Sequence, residues 1–269
     1  IGNDQLLYVA DTYGESTGRV VMMNRAGQVL STTKKVLRPI ALAQDSRLDL
    51  LVGGVLVATN GDTVGAIFRI HLVDVNHRLD QLTNANIDTV WRELARPERR
   101  FPGITVFGEN TYLAVRSGSD NSSFVDPDAR ILLFDAHDNF ITPIAGLTTR
   151  AGSGITDIVR PSAIASFPGV RDFVLAQYAE QVAYGALWMR YESTPEFEGW
   201  LPKFDPARAE DRSRDFIRPN RFLQPEAVAI DRSRRDVFIA DAALDSIFKF
   251  NSRGNFKAES FGKARSGGA

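Results

Sequence analysis

The sequence predicts an all-β fold, a β-propeller of four-stranded antiparallel blades, and three recurrences predict it. Four segments open with Pro and continue as a short apolar strand: Pro39-Ile-Ala-Leu-Ala, Pro102-Gly-Ile-Thr-Val, Pro161-Ser-Ala-Ile-Ala and Pro225-Glu-Ala-Val-Ala. Their spacing of roughly 60 residues marks an internal repeat. Five strands end in an apolar residue followed by Ala, at Val9-Ala10, Val57-Ala58, Leu113-Ala114, Leu175-Ala176 and Ile239-Ala240. A third apolar segment follows each of them, the first starting at Arg19-Val-Val and the last running Ser246-Ile-Phe-Lys-Phe. Four-stranded antiparallel units repeated about an axis make a propeller.

Each element has a local reason. Pro is tolerated at the first residue of a strand, where its missing N–H breaks no ladder bond. The small Ala near the end of the second strand suits sheets packed face to face close to an axis. Third strands are rich in β-branched and aromatic residues, which favour the pleated surface. Polar turns follow them at Arg25-Ala-Gly27, Ala136-His-Asp138 and Ser252-Arg-Gly254. Gly and Asp there suit the left-handed backbone of tight hairpins. The blades therefore run over about 6–38 (partial), 39–101, 102–160, 161–224 and 225–262 of a single domain, 1–269. Five are visible, and a further Pro strand is due where the sequence ends, so six are expected when complete. The chain opens on Ile1 rather than Met, which leads us to expect processing or an incomplete start.

The last unit reads Gln224-Pro225-Glu-Ala-Val-Ala-Ile-Asp231, Asp236-Val-Phe-Ile-Ala-Asp241, Ser246-Ile-Phe-Lys-Phe-Asn251, Gly254-Asn-Phe256 and Phe261-Gly262. It closely resembles an NHL repeat. Residues 6–30 resemble the same unit without its first strand, through Leu7-Tyr-Val-Ala-Asp11. The middle units depart from the pattern after Ala, where Thr59, Val115 and Gln177 stand.

Composition narrows the function classes. At 43% hydrophobic and 24% charged residues, the 269-residue chain can build a core. Its net charge of -1 gives no electrostatic footprint for a polyanion, so no nucleic-acid partner is expected. The absence of Cys removes disulfides, thiolate metal sites and cysteine nucleophiles. No apolar run reaches the roughly 20 residues of a membrane helix.

Insertions mark where function is carried. In 117–128, Asp120, Asn121, Asp126 and Asp128 offer oxygen ligands, although their spacing fits no known calcium loop. Residues 86–96 read as a short helical insertion, capped by Asn86 and ended by Pro97, with Ile87, Val90, Trp91 and Leu94 on one face. Trp91, with Arg92 and Arg96 beside it, is a candidate partner contact. The stretch 193–222 reads as a strap or insertion that either packs on the propeller or presents Phe197, Trp200 and Phe204 to a partner.

No nucleophile elbow, P-loop, dinucleotide fingerprint or zinc-helix motif occurs, and His71, His77 and His137 are scattered. Propellers related in shape to NHL repeats include calcium-dependent lactonases, whose metal is held on the axis by carboxylates. By that resemblance, Glu226, Asp11 and Asp241 are the candidate ligands here. An Asp after the repeat's Ala equally serves to bond amides of the next turn. The sequence reading is a non-catalytic, NHL-like interaction scaffold or complex subunit outside the cytoplasm, with protein partners and no cofactor. The alternative is a calcium-dependent lactonase or esterase-like hydrolase with its metal on the propeller axis.

Overall fold

The computed structural model describes residues 2–14, 17–94, 98–107, 110–118, 129–143, 161–177, 185–191, 195–201, 222, 224–254 and 256–261, with backbone alone at 107, 142–143, 185–191, 195–201 and 256–261. Among the described residues, nineteen strands form five sheets, each ordered as a meander. Sheet 1 holds β1 (Leu7–Thr12), β2 (Gly18–Met23) and β3 (Val29–Thr33). Sheet 2 holds β4 (Leu37–Gln44), β5 (Leu50–Val57), β6 (Thr63–Ile70) and β7 (Ile87–Arg92). Sheet 3 holds β8 (Arg100–Phe107), β9 (Thr111–Ser117), β10 (Arg130–Phe134) and β11 (Phe140–Pro143). Sheet 4 holds β12 (Pro161–Ser166), β13 (Asp172–Gln177), β14 (Gly185–Tyr191) and β15 (Pro195–Leu201). Sheet 5 holds β16 (Pro225–Ile230), β17 (Val237–Asp241), β18 (Ser246–Phe250) and β19 (Phe256–Phe261).

The repeated prolines have a common structural cause. In sheets 2 to 5 the register between first and second strands shifts at the Pro: between Leu37 and Ala41, Arg100 and Gly103, Pro161 and Ala163, and Pro225 and Ala227. A residue that cannot donate belongs where the ladder is already interrupted. The turns repeat as well. The side chains of Asn24, Asp135 and Asn251, which end third strands, each accept an N–H two residues on, from Ala26, His137 and Arg253. Asp45 and Asp231 do the same after first strands, bonding the N–H groups of Arg47 and Ser233. These are Asx turns, the reason Asp and Asn punctuate the sequence there.

By contacts the chain divides into two compact units, 1–120 with 132–142, and 121–131 with 143–269. In the first, sheet 2 is buried on both faces. Leu50, Val52, Phe68 and Ile70 pack with Val20 and Met22 of sheet 1, while Leu51 and Ile67 pack with Phe101, Tyr112, Leu132 and Phe134 of sheet 3. Period-two alternation sends neighbours such as Leu50 and Leu51 to opposite cores. Each fully buried side chain of this size contributes about 1.5–3 kcal/mol. Gly65 lets the sheets approach: a Cβ there would lie 2.0 Å from the Arg99 carbonyl oxygen. In the second unit, Phe167 and Val174 of sheet 4 pack with Val237, Ile239, Phe248 and Phe250 of sheet 5, and Phe222 seals the cluster.

One expected element is corrected. The helix read over 86–96 is strand β7 over Ile87–Arg92, preceded by a short 3-10 turn, Asn84–Asn86, closed by a Thr83–Asn86 capping box. Ile70 pairs with Ile87 and Phe68 with Thr89, but Ile67 pairs with Trp91, so Val90 is a bulge. The extra residue resets the strand's alternation and puts Ile87, Val90 and Trp91 at a spacing that imitates a helical stripe. Within the expected strap, 195–201 is β15, the fourth strand of its sheet.

Candidate functional site

Of the sequence candidates, Glu226 and Asp241 come together, at the start of β16 and the end of β17. Pro225 faces Asp241 in the register. The backbone N–H of Gln224 donates to both Asp241 oxygens at 3.1 Å, and the N–H groups of Ala243 and Leu244 donate to Oδ1 at 3.1 Å. Asp241 is 1% exposed. It therefore fastens the first strand to the second and caps the turn that follows, the structural role open to an Asp at this repeat position. Glu226 is exposed, its Oε1 accepting from the Gln224 side chain. Both residues border an open depression of about 440 Å3 with Ala227, Ala240 and Ile247 in its lining and Asp245 and Ser246 beside them. Its lining is mostly apolar, with the carboxylates of Glu226 and Asp245 among it.

Asp11 belongs to the first unit, where its carboxylate pairs with Arg19 at 2.7 Å and its side chain is 39% exposed. Among the described residues, no three His, Asp or Glu side chains gather as a metal site. Calcium takes six to eight oxygens. Asp241 has its oxygens occupied by backbone N–H donors, which leaves Glu226 and Asp245 as the open carboxylates of the depression. That donor set does not fit calcium. Asp120, Asp126, Asp128, Arg96 and Phe204 lie outside the described residues, and Phe197 and Trp200 are placed by backbone alone, in β15. Trp91 is half-buried against Phe134 and Phe140, at ring distances of 5.8 and 4.9 Å, while Arg92 is exposed at the end of β7.

The first unit holds polar clusters that sequence reading missed. Arg69 on β6 is 2% exposed and meets three carboxylates. Its Nη1 donates to Asp45 at 2.7 Å and to Asp49 at 3.3 Å, while Nε and Nη2 clasp both oxygens of Asp138 at 2.7 and 2.6 Å. The Tyr112 hydroxyl donates to Asp138 at 3.0 Å. His71 extends the cluster, with its ring nitrogens 3.2 Å from Asp49 and 3.0 Å from Asp88. Burial pushes the Asp49 carboxyl above its ordinary value, helped by Asp45 and resisted by His71 and Arg69. Burial pulls the His71 imidazole down, but Asp88 and Asp49 outweigh it, so the ring holds its proton more firmly than a free histidine. Because Asp138 follows β10 and Arg69 lies on β6, the cluster clamps sheet 2 to sheet 3. Glu93, 3% exposed, makes a second clamp: it accepts from Trp91 Nε1 and Arg99 at 2.9 Å and from Arg116 at 3.4 Å. A third joins sheets 1 and 2, where Tyr8 and Gln44 donate to Asp4 at 2.6 and 3.0 Å. The available signal was a charge inside an apolar run, Ala66-Ile-Phe-Arg-Ile, which had to be paired to be buried.

No family model and no curated protein matches the chain. Solved structures do share its fold. A calcium-binding protein, regucalcin, from Agrobacterium tumefaciens superposes with a TM-score of 0.55 and 11% identity, covering 94% of this chain and 74% of its own. A candidate gluconolactonase gives 0.55 and 7%, over 96% and 79%. A glucose dehydrogenase gives 0.53 and 10%, over 97% and 86%. These are β-propellers, and the five meander sheets described above are blades of that fold.

Proposed function

We propose that this propeller is a small-molecule hydrolase acting on lactones or esters at the depression beside β16 and β17. The observation that carries the reading is the exposed Glu226 carboxylate in the lining of a mostly apolar depression. A propeller of similar fold described as a candidate gluconolactonase supports the same class. Glu226 takes the role of general base, drawing a proton from water as it attacks the substrate carbonyl. The apolar lining of Ala227, Ala240 and Ile247 holds the substrate's carbon skeleton. Asp241 keeps the two strand ends in place and contributes no free oxygen. A panel of aliphatic lactones and aryl esters, assayed with added calcium and with chelator, tests the reading. Turnover that Glu226→Gln lowers by about 100-fold is expected for loss of a general base. Absence of turnover across the panel in both conditions contradicts it, and turnover abolished by chelator would place a metal where the described residues do not assemble one.

A second reading, an interaction scaffold, is favoured by the exposed apolar side chains of sheet 1, where Val9, Val29 and Leu30 are 42%, 57% and 45% exposed. Native mass measurement in the presence of candidate partners tests it, and a chain that stays monomeric and unbound contradicts it.

A further inference from the structure

The turn between β5 and β6 departs from the pattern of the turns that follow third strands. At Asn24 and Asn251 the Asn stands first in the turn, followed by Arg25 and Ser252, and the N–H of Gly27 or Gly254 closes it by bonding the Asn carbonyl. Between β5 and β6, Ala58 takes the first place: its carbonyl accepts the Gly61 N–H at 2.9 Å, and its own N–H donates to the Asp62 carbonyl at 2.8 Å. The Asn of this turn stands instead at position 60, directly before the Gly. Asn60-Gly61 is the one Asn-Gly step in the chain.

The tip of this hairpin is open to solvent. Asn60, Gly61 and Asp62 are exposed, whereas Val55 and Val64 on the strands beneath them are buried. Gly61 has φ +89°, and a Cβ there would meet nothing within 4 Å. Asp62 holds the Asn60 amide at both ends: Nδ2 donates to Oδ2 at 2.7 Å, and Oδ1 accepts the Asp62 N–H at 3.1 Å. The second bond aims a donor at the oxygen on which charge builds when a nucleophile adds to Cγ. The nucleophile within reach is the next backbone nitrogen, that of Gly61, whose residue has no side chain to hinder the approach.

We propose that Asn60 is a self-modification site, which converts through a cyclic imide to a mixture of isoaspartate and aspartate. The Gly61 nitrogen gives up its proton to hydroxide and forms a bond to Asn60 Cγ. The Cγ–Nδ2 bond breaks, and the nitrogen leaves as ammonia with a proton taken from water. Water then opens the imide. Breaking the new bond to Cγ yields aspartate, while breaking the bond between the Gly61 nitrogen and the Asn60 main-chain carbonyl carbon yields isoaspartate, whose backbone runs through Cγ. No oxidant or reductant takes part. The Gly61–Ala58 hydrogen bond opens first, and at an exposed hairpin tip that opening leaves the core intact. Either product adds a negative charge beside Asp62, and isoaspartate also lengthens the turn by a main-chain carbon. The proposal is independent of the hydrolase reading.

The test holds the folded chain at mildly alkaline pH and follows each Asn by peptide mapping, with the free peptide of residues 57–63, Val-Ala-Thr-Asn-Gly-Asp-Thr, as the clock. Circular dichroism before and after verifies that the chain stays folded. Before the peptide is exhausted, Asn60 in the folded chain should convert ahead of Asn24 and Asn251. Isoaspartate should be the larger product, read by methyl transfer from an isoaspartyl carboxyl methyltransferase. Gly61→Ala, which sets a Cβ beside the attacking nitrogen, should slow the conversion at least about tenfold, a barrier higher by about 1.4 kcal/mol. Because Ala is strained at that φ, the product ratio in the unsubstituted chain is the second readout. Aspartate as the sole product, equal rates at Asn24 or Asn251, an unchanged rate in Gly61→Ala, or an intact Asn60 when the peptide is exhausted overturns the proposal.

Discussion

Replacing Arg69 by Met is the sharpest probe of what joins sheets 2 and 3. The side chain is 3% exposed, and it faces Asp45, whose side chain is fully buried, together with Asp49 and Asp138 at 11% and 21%. Met retains much of the volume, so packing is nearly conserved and the effect reads charge and hydrogen bonding. Four donated bonds are lost, and the carboxylates are left facing one another without their cation. Removing one partner of a buried ion cluster costs about 3–5 kcal/mol. At roughly 2–4 °C per kcal/mol for a chain of this size, the melting temperature should fall by about 6–20 °C. Arg69→Lys keeps the charge but not the planar fork that clasps Asp138, and should lie between wild type and Met. Adding Asp138→Asn to Arg69→Met should recover part of the loss, since it removes one of the stranded charges. Urea unfolding and calorimetry of the four proteins measure this. A Met variant within about 1 kcal/mol of wild type would refute the clamp, because a loss that small is typical of an exposed pair.

Three further outcomes follow from the same geometry. His71 faces Asp49 and Asp88, with Arg69 behind Asp49, and its folded pKa is raised above 6.5; its contribution is complete below that value and is lost as pH rises through the folded pKa. The raised Asp49 acts in the same direction at lower pH, its ionisation costing stability as pH climbs from 3.8. Melting temperature should therefore fall from about pH 6 to 8.5, and His71→Asn should flatten that slope, as thermal scans across the range will show. Gly65→Ala puts a Cβ 2.0 Å from a backbone carbonyl oxygen and should cost about 1–3 kcal/mol or more in urea unfolding. Asp241→Ala leaves the N–H groups of Gln224, Ala243 and Leu244 without their carboxylate and should destabilise by about 2–4 kcal/mol, whereas Asp11→Ala should change stability by less than 1 kcal/mol.

The fold was legible because its markers are local. Pro39, Pro102, Pro161 and Pro225 each mark a place where the ladder shifts register, and Asn24, Asp135 and Asn251 each close an Asx turn. A backbone constraint leaves a residue type at a fixed place whatever surrounds it. The reading of 86–96 as helix failed because the Val90 bulge gives a strand the spacing of a helical face. The clamps were illegible for a different reason: Arg69 reaches Asp138, 69 positions away, so the pairing exists only once sheet 2 faces sheet 3. Asp241 could be read from its place after Ala240, and its structural role followed from the repeat. Glu226 stands out because, of the residues that follow the Pro of each first strand, Ile40, Gly103, Ser162 and Glu226, it is the one carboxylate, and the resemblance to calcium-dependent lactonases directs attention to that position.

The hydrolase assignment turns on whether the hollow beside Glu226 holds a reacting carbonyl. The most direct measurement is a crystal structure of the chain with an alkyl phosphonate, whose tetrahedral oxygens mimic the intermediate of ester and lactone hydrolysis. The phosphonate should lie against Ala240 and Ile247 with an oxygen in hydrogen-bonding range of Glu226, and inhibition should be lost in Glu226→Gln. A phosphonate bound elsewhere, or a hollow that stays empty while turnover is inhibited, would contradict it.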